Sequence, residues 1–199
     1  MKKFELTNEF ITNMFGTKLF RIRALVEFGD VEAGELGGYV EKESNLGHDD
    51  NAWVYDNAWV YGNARVYGDA QVSGDARVYD NAWVYGDAQV SGDALVYGNA
   101  RVYGNAWVYG NALVCSDEDY AYAHGFGSVN RTTTFFRLKD GGVGVRCGCF
   151  YGTLAQFRDK IRETHGETKK AQEYLMLADL MELRFEEDEN EVGNRKYVE

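Results

Sequence analysis

Between Asn51 and Ser116 the apolar residues fall on a six-residue beat. The chain reads as eleven uninterrupted units: NAWVYD, NAWVYG, NARVYG, DAQVSG, DARVYD, NAWVYG, DAQVSG, DALVYG, NARVYG, NAWVYG and NALVCS. Ala holds the second place of every unit and Val the fourth, while the third and fifth places vary. Alternation with period two is a strand pattern, with Ala and Val on one side. Gly or Asp followed by Asn or Asp closes each unit, and these residues tolerate the left-handed backbone of a tight bend. The pattern predicts four-residue strands separated by two-residue bends, coiled so that successive turns stack in parallel. A disordered tract would lack apolar residues at fixed phase. A helix would be broken at every sixth residue.

The flanks have other periods. KKFELT and TKLFRIRALVEF predict two strands. In GELGGYVEKESNLGHDD, the six-residue spacing of Val40, Leu46 and Ala52 predicts an irregular opening coil. After Ser116, SDEDYAYAHGFGSVNR breaks the repeat, and TTTFFRL and VGVRCGCF flank KDGG, a hairpin signal. Thr153 followed by Gln156 is a capping box. The helix it opens has Leu154, Phe157 and Ile161 as its apolar stripe and Gly166 as its stop. A second helix is predicted over 167–184, with Ala171, Leu175, Ala178 and Met181 or Leu180 on one face. Four segments result: a β cap and opening coil (1–50), the solenoid (51–116), a ββαα module (117–185) and an acidic tail (186–199) that begins EEDENE.

The V-x-G-[ND]-A-x phase resembles the hexapeptide repeat of left-handed β-helices. The resemblance implies a mostly β fold, a left-handed parallel β-helix capped by the N-terminal β segment and by the C-terminal hairpin and two helices. It further implies three hexads per triangular 18-residue coil, so eleven hexads make three coils and two thirds. Taking every third hexad sorts the outward residues into three faces. Face A carries Trp53, Gln71, Gln89 and Trp107 beside Tyr55, Ser73, Ser91 and Tyr109. Face B carries Trp59, Arg77, Leu95 and Leu113 beside Tyr61, Tyr79, Tyr97 and Cys115. Face C carries Arg65, Trp83 and Arg101 beside Tyr67, Tyr85 and Tyr103. All four Trp and eight Tyr are thereby expected outside, where contiguous aromatic surface marks a contact site. Face A reads as a shallow polar recess with aromatic walls. Face C reads as an Arg–Trp–Arg stack suited to a planar or anionic group. Face B, with Leu95 and Leu113, suits a subunit interface or a cover from the C-terminal region. The expected binding residues are those of face A together with Arg65, Trp83, Arg101 and Tyr85.

Composition narrows the classes. The 199 residues include 23 Gly and no Pro, so bends rest on Gly, Asn and Asp. The net charge of −11 argues against a general nucleic-acid or anionic-membrane binder. The repeat itself has three Arg against six Asp. No apolar run reaches the ~18 residues of a membrane helix, and the start, MKKFELTNEF, lacks the apolar stretch of a signal peptide. Three Cys do not make a secreted disulfide framework. A soluble, cytoplasmic protein is expected.

Many left-handed β-helices are acyltransferases, which implies a catalytic His, an extruded loop and a CoA groove. Here no His lies between Asn51 and Ser116 and no hexad is interrupted; His48 and His124 bracket the repeat and read as cap residues. The carbonic anhydrases of this fold need His ligands from the coils, which the repeat lacks. Cys147, Cys149 and His165 make a weak zinc set, because structural zinc prefers four ligands and wider Cys spacing; alternation along a strand would put both thiols on one side and buried. Asp69 with Asp87 and Asp75 with Asp93 stack at calcium-compatible spacing, but Asp at a bend is foremost a turn former. No catalytic residue, metal or cofactor is therefore expected.

The flanks LFRIRALVEFGDVEAGELGGYVEKESNL and TTTFFR…CGCFYGTLAQF…ETHG resemble a family of phage and prophage proteins of unclear role. The expectation is a non-enzymatic, homo-oligomeric binding protein, a counter-defence factor that holds a host protein or small ligand. A self-assembling structural solenoid and an acyltransferase-like enzyme are the alternatives.

Overall fold

The structure is a computed structural model, and it describes residues 2–127 and 131–186. The predicted acidic tail beyond Glu186 lies outside the described residues. The chain opens with β1 (Phe4–Thr12), β2 (Lys18–Ala24) and β3 (Leu36–Val40). Eleven short strands, β4 to β14, follow from Trp53–Val54 to Leu113–Val114, one per hexad. A four-stranded module of β15 (Tyr120–Phe126), β16 (Arg131–Arg137), β17 (Val143–Cys147) and β18 (Phe150–Thr153) leads into α1 (Leu154–His165) and α2 (Lys169–Phe185).

The repeat forms a parallel β-solenoid whose register is eighteen residues: Trp53 pairs with Gln71, Trp59 with Arg77, and Arg65 with Trp83. Each strand spans two residues, not the four that alternation predicts. Backbone pairing nevertheless continues beyond it, as in Trp59 N to Ala76 O at 2.9 Å and Tyr61 N to Val78 O at 3.1 Å. At ~4.8 Å per stacked strand the hexads make a prism about 18 Å long. The Ala and Val of all eleven hexads are buried. They interdigitate as the common core, since a pleated strand turns every second side chain to the same side. Gly closes most bends at positive φ, as Gly92 does at +74°, and Asp56 and Asp80 adopt the same region at two others. Asp is among the few residues that enter it at modest cost.

Both ends are sealed. At the first coil, β1 and β2 pair antiparallel, and β3 carries that sheet into face B through Tyr39 opposite Trp59. Val40 pairs with Val60 and Leu46 bridges Val66, so this opening coil takes twenty residues against eighteen in every later one. Val40 and Leu46 occupy the Val row. Ala52 belongs to the Ala row instead, because two extra residues intervene before Val54. The Lys3 side chain is buried there, its Nζ donating to the carbonyls of Asp50 and Ala52 at 2.8 Å each.

At the last coil, successive residues of β16 serve two cores. Phe136 joins Tyr120 and Leu138 under the solenoid. Phe135 packs with Val145, Phe157, Ile161, Tyr174 and Ala178 in a separate core with the helices. The module is thus ββββαα, not ββαα. SDEDYAYAHGF contains β15, paired with β16, and FYGT is β18, paired with β17. The KDGG turn joins β16 to β17, with Leu138 N donating to Gly142 O. The capping box holds: Thr153 Oγ1 accepts from Gln156 N, and the Gln156 side chain accepts from Thr153 N at 2.9 Å. In α2 the inward row is Ala171, Tyr174, Ala178, Met181 and Phe185. Leu175 is half-buried and Leu180 faces outward, because the helix docks through its aromatic rings. Among the described residues no helix is long and apolar enough to cross a membrane.

Candidate functional site

The repeat phase places the outward residues as the sequence sorts them, and the caps then decide which remain accessible. Trp53 corrects the expectation that every Trp is outside. It is fully buried, with Phe28 against one edge at 5.3 Å and Phe4 at 6.2 Å, and β3 passes so close that a Cβ on Gly37 would meet its ring. Tyr55 packs half-buried beside it, and its hydroxyl is held above its ordinary range by burial, helped by Glu35 and Asp30.

The other end of face A is roofed by the C-terminal module. The Arg146 guanidinium lies 3.9 Å from the Trp107 ring centroid and 4.9 Å from that of Tyr109. Tyr151 meets Tyr109 edge-on at 5.0 Å. Trp107 N donates to Thr134 Oγ1 at 2.9 Å, and its Nε1 donates to Ser91 Oγ at 3.3 Å. Of the expected recess Gln89 is exposed, Gln71, Ser73 and Ser91 are half-buried, and the aromatic walls pack against the caps, Trp53 fully buried and Tyr55, Trp107 and Tyr109 half-buried. Arg146 was not a sequence candidate, because nothing local in VGVRCGCF indicates which ring it will cover.

Face C is open. Arg65, Trp83 and Arg101 are all exposed, Trp83 at 37%. Both guanidiniums flank the indole, Arg101 at 5.5 Å and Arg65 at 6.0 Å from its centroid, which are cation–π distances. Beside them Tyr67 and Tyr85 stack at 5.0 Å with their planes 1° apart, and Tyr85 and Tyr103 at 5.4 Å and 17°. One-coil spacing imposes this stacking, because identical side chains recur at each ~4.8 Å step. Desolvation, followed by the neighbouring Tyr85, raises the Tyr67 hydroxyl above its ordinary range, against the pull of Arg101 and Arg65. The cap anchors this face at its lower end, where Tyr120 Oη donates to Arg101 O at 2.7 Å.

Face B extends the N-terminal sheet. Tyr61, Tyr79 and Tyr97 stack at 5.0 and 5.1 Å, and Arg77 lies 4.3 Å from the Trp59 centroid. Leu95 and Leu113 are half-buried.

The chemical candidates separate. His48 stacks on Phe4 at 4.4 Å within the N-terminal cap. His124 Nδ1 meets Thr132 Oγ1 at 2.9 Å on the exposed part of β15. Cys147 ends β17, and Gly148–Cys149 is the two-residue turn into β18. Cys149 is therefore exposed and Cys147 half-buried, against the expectation of two buried thiols on one strand face. Both line a cavity of about 210 Å³ with His165, Arg131, Lys160 and Tyr174. Among the described residues no group of three or more His, Cys, Asp or Glu is placed to hold a metal ion. The stacked Asp residues sit at bends, where Asn51 Nδ2 donates to Asp69 at 2.7 Å and Asn57 Nδ2 to Asp75 at 3.4 Å.

The repeat is similar to the family described as YdcK beta solenoid repeat, which matches at residues 58–70, 70–86, 88–101, 96–110 and 100–116. The matched stretches agree with a repeat β-solenoid and lie wholly within the hexads. The chain matches no curated protein.

Proposed function

We propose that this is a non-enzymatic interaction protein, phage-encoded and acting in the host cytoplasm, which engages a host component through face C of its solenoid. The observation that carries the reading is the exposed Arg65–Trp83–Arg101 stack beside a parallel Tyr ladder. Arg, Trp and Tyr are the residues that dominate binding energy at protein interfaces. A rigid ladder presents them with little ordering entropy left to lose. The phage context rests on the resemblance of the flanks, and a counter-defence role is the form of sequestration it suggests. The absence of His and of insertions from 51–116 supports a binding role over acyl transfer.

Affinity capture from host cells tests the reading. Wild type is expected to retain a partner that Trp83→Ala and Arg101→Glu lose and that Gln89→Lys on face A retains. Equal capture by all four proteins defeats the assignment to face C. Acetyl transfer from acetyl-CoA that disappears in His124→Ala would replace it with the enzymatic reading.

Self-association is a second reading, and one observation favours it. Met176, Leu180 and Leu183 form an exposed apolar stripe along the outer side of α2, at 72%, 54% and 67% exposure. Sedimentation equilibrium is expected to show a dimer that Leu180→Lys returns to monomer; a monomer at every concentration removes this reading.

A further inference from the structure

We propose that the edge between faces B and C docks an acid-lined groove of a protein partner, with Arg77 and the Tyr61–Tyr79–Tyr97 ladder completing the contact that face C begins. The inference rests on the reading of face C as the contact surface, and it names the chemistry of what binds there.

Charge is sorted around the prism by the repeat phase. The three Arg of the repeat lie on faces B and C: Arg65 and Arg101 sit one coil to either side of Trp83, and Arg77 is level with Trp83 across the edge. Of the six Asp, Asp56, Asp75 and Asp93 stand at the edge between A and B, and Asp69 and Asp87 at the edge between C and A. Only Asp80 falls at the edge between B and C. Within the repeat that edge is otherwise a ladder of neutral amides, Asn63 Nδ2 donating to Asn81 at 3.1 Å and Asn81 Nδ2 to Asn99 at 3.5 Å; from the flanks, Glu41 accepts from Gly62 N and Asp117 from Arg101 N, each at 2.7 Å, so both carboxylates are turned to the backbone. Among the described residues none of the three guanidiniums meets a carboxylate within ion-pair distance; each rests on an indole instead. In a chain of net charge −11 these are three exposed guanidiniums gathered at one edge and bordered by aromatic columns.

Shape selects the occupant. Small ligands are held in concave sites, whereas a prism edge is convex and must itself enter a groove. Guanidiniums on aromatic faces are weakly hydrated, so a carboxylate can pair with them at low desolvation cost. The acidic edges on either side repel a long polyanion such as nucleic acid, whose affinity depends on many phosphate contacts. They leave a local cluster of Asp or Glu in a protein groove as the complementary surface.

Anisotropy with a short fluorescein-labelled hexaglutamate peptide tests the charge preference, with a dT20 oligonucleotide as the long-polyanion comparison arm. Wild type is expected to bind hexaglutamate at low salt, and the triple variant R65E/R77E/R101E to bind it about tenfold or more weakly, as for complementary charge pairs. Asp75→Asn with Asp93→Asn should leave it unchanged. The triple variant R65Q/R77Q/R101Q, with smaller changes at the same exposed positions, should weaken binding in the same direction if charge is the cause. No binding, indifference to both triple variants, or tighter binding of dT20 overturns the proposal. Arg77→Glu separates it from the reading beneath it. If Trp83→Ala loses a cellular partner while Arg77→Glu keeps it, the edge proposal fails and face C stands. If both keep the partner, both readings fail.

Discussion

At the residue scale the fold depends on positions where the repeat leaves no spare volume. A Cβ on Gly92 would come within 2.8 Å of Gly110 N and 2.9 Å of its Cα, at a φ of +74° that side chains avoid. Strain of this kind costs about 1–3 kcal/mol. Gly92→Ala is therefore expected to lower the free energy of unfolding in urea by about 2 kcal/mol. Lys3 is a different case, a buried ammonium that closes the top of the prism. Burial lowers its pKa against the counter-pull of Asp50, yet its Nζ donates to two backbone carbonyls, of Asp50 and Ala52. Lys3→Met should fill much of the same space but leave both acceptors unsatisfied. A loss of about 1–3 kcal/mol is expected, read as a lower melting temperature. An unchanged melting temperature would show that water replaces the ammonium.

At the element scale the Tyr ladders link stability to pH. Burial raises the hydroxyls of Tyr61, Tyr67 and Tyr79 above the ordinary value near 10, and in Tyr79 the stacked Tyr61 and Tyr97 add to it. A raised folded pKa means that the native state holds its protons longer than the unfolded chain. The associated stability is complete below pH 10 and declines as pH rises above 10 toward the folded values. Absorbance at 295 nm should show these tyrosines ionising later than free tyrosine, and denaturant midpoints should fall between pH 10 and 11.5. Midpoints that stay level across that interval would count against buried ladders. The two-residue strands make the same point about cooperation. None is long enough to persist alone, and each exists because the coil above and the coil below supply its hydrogen bonds.

At the scale of the whole molecule the caps do two things. They close the open ends of a solenoid whose terminal strands would otherwise offer unpaired backbone, and they choose which outer faces stay free. Deleting residues 117–199 would strip Tyr120, Phe136 and Leu138 from the core and bare the last coil. The truncated chain is expected to elute as aggregate in size-exclusion chromatography with light scattering, where the full chain elutes as a discrete species. A discrete, folded truncation product would show that the final hexads cap themselves.

Much of this was legible in the residues. The Ala and Val rows, the eighteen-residue faces, the KDGG turn and the Thr153–Gln156 cap all follow from local spacing, because pleat, bend and helix start are decided within a few residues. What lies over each face is not local. The NAWVY segment occurs four times, at Trp53, Trp59, Trp83 and Trp107. The same five residues leave Trp53 fully buried, Trp59 and Trp107 half-buried and Trp83 exposed. The difference lies in Phe4, Phe28 and β3 at one end and in Arg146 and Thr134 at the other, all distant in the chain. The sequence by itself determined an inside of Ala and Val and an outside of rings, because a strand's pleat assigns every residue a side. Only the tertiary structure decided which rings remain free to bind, because long-range packing of the caps, not the repeat, sets what each ring touches.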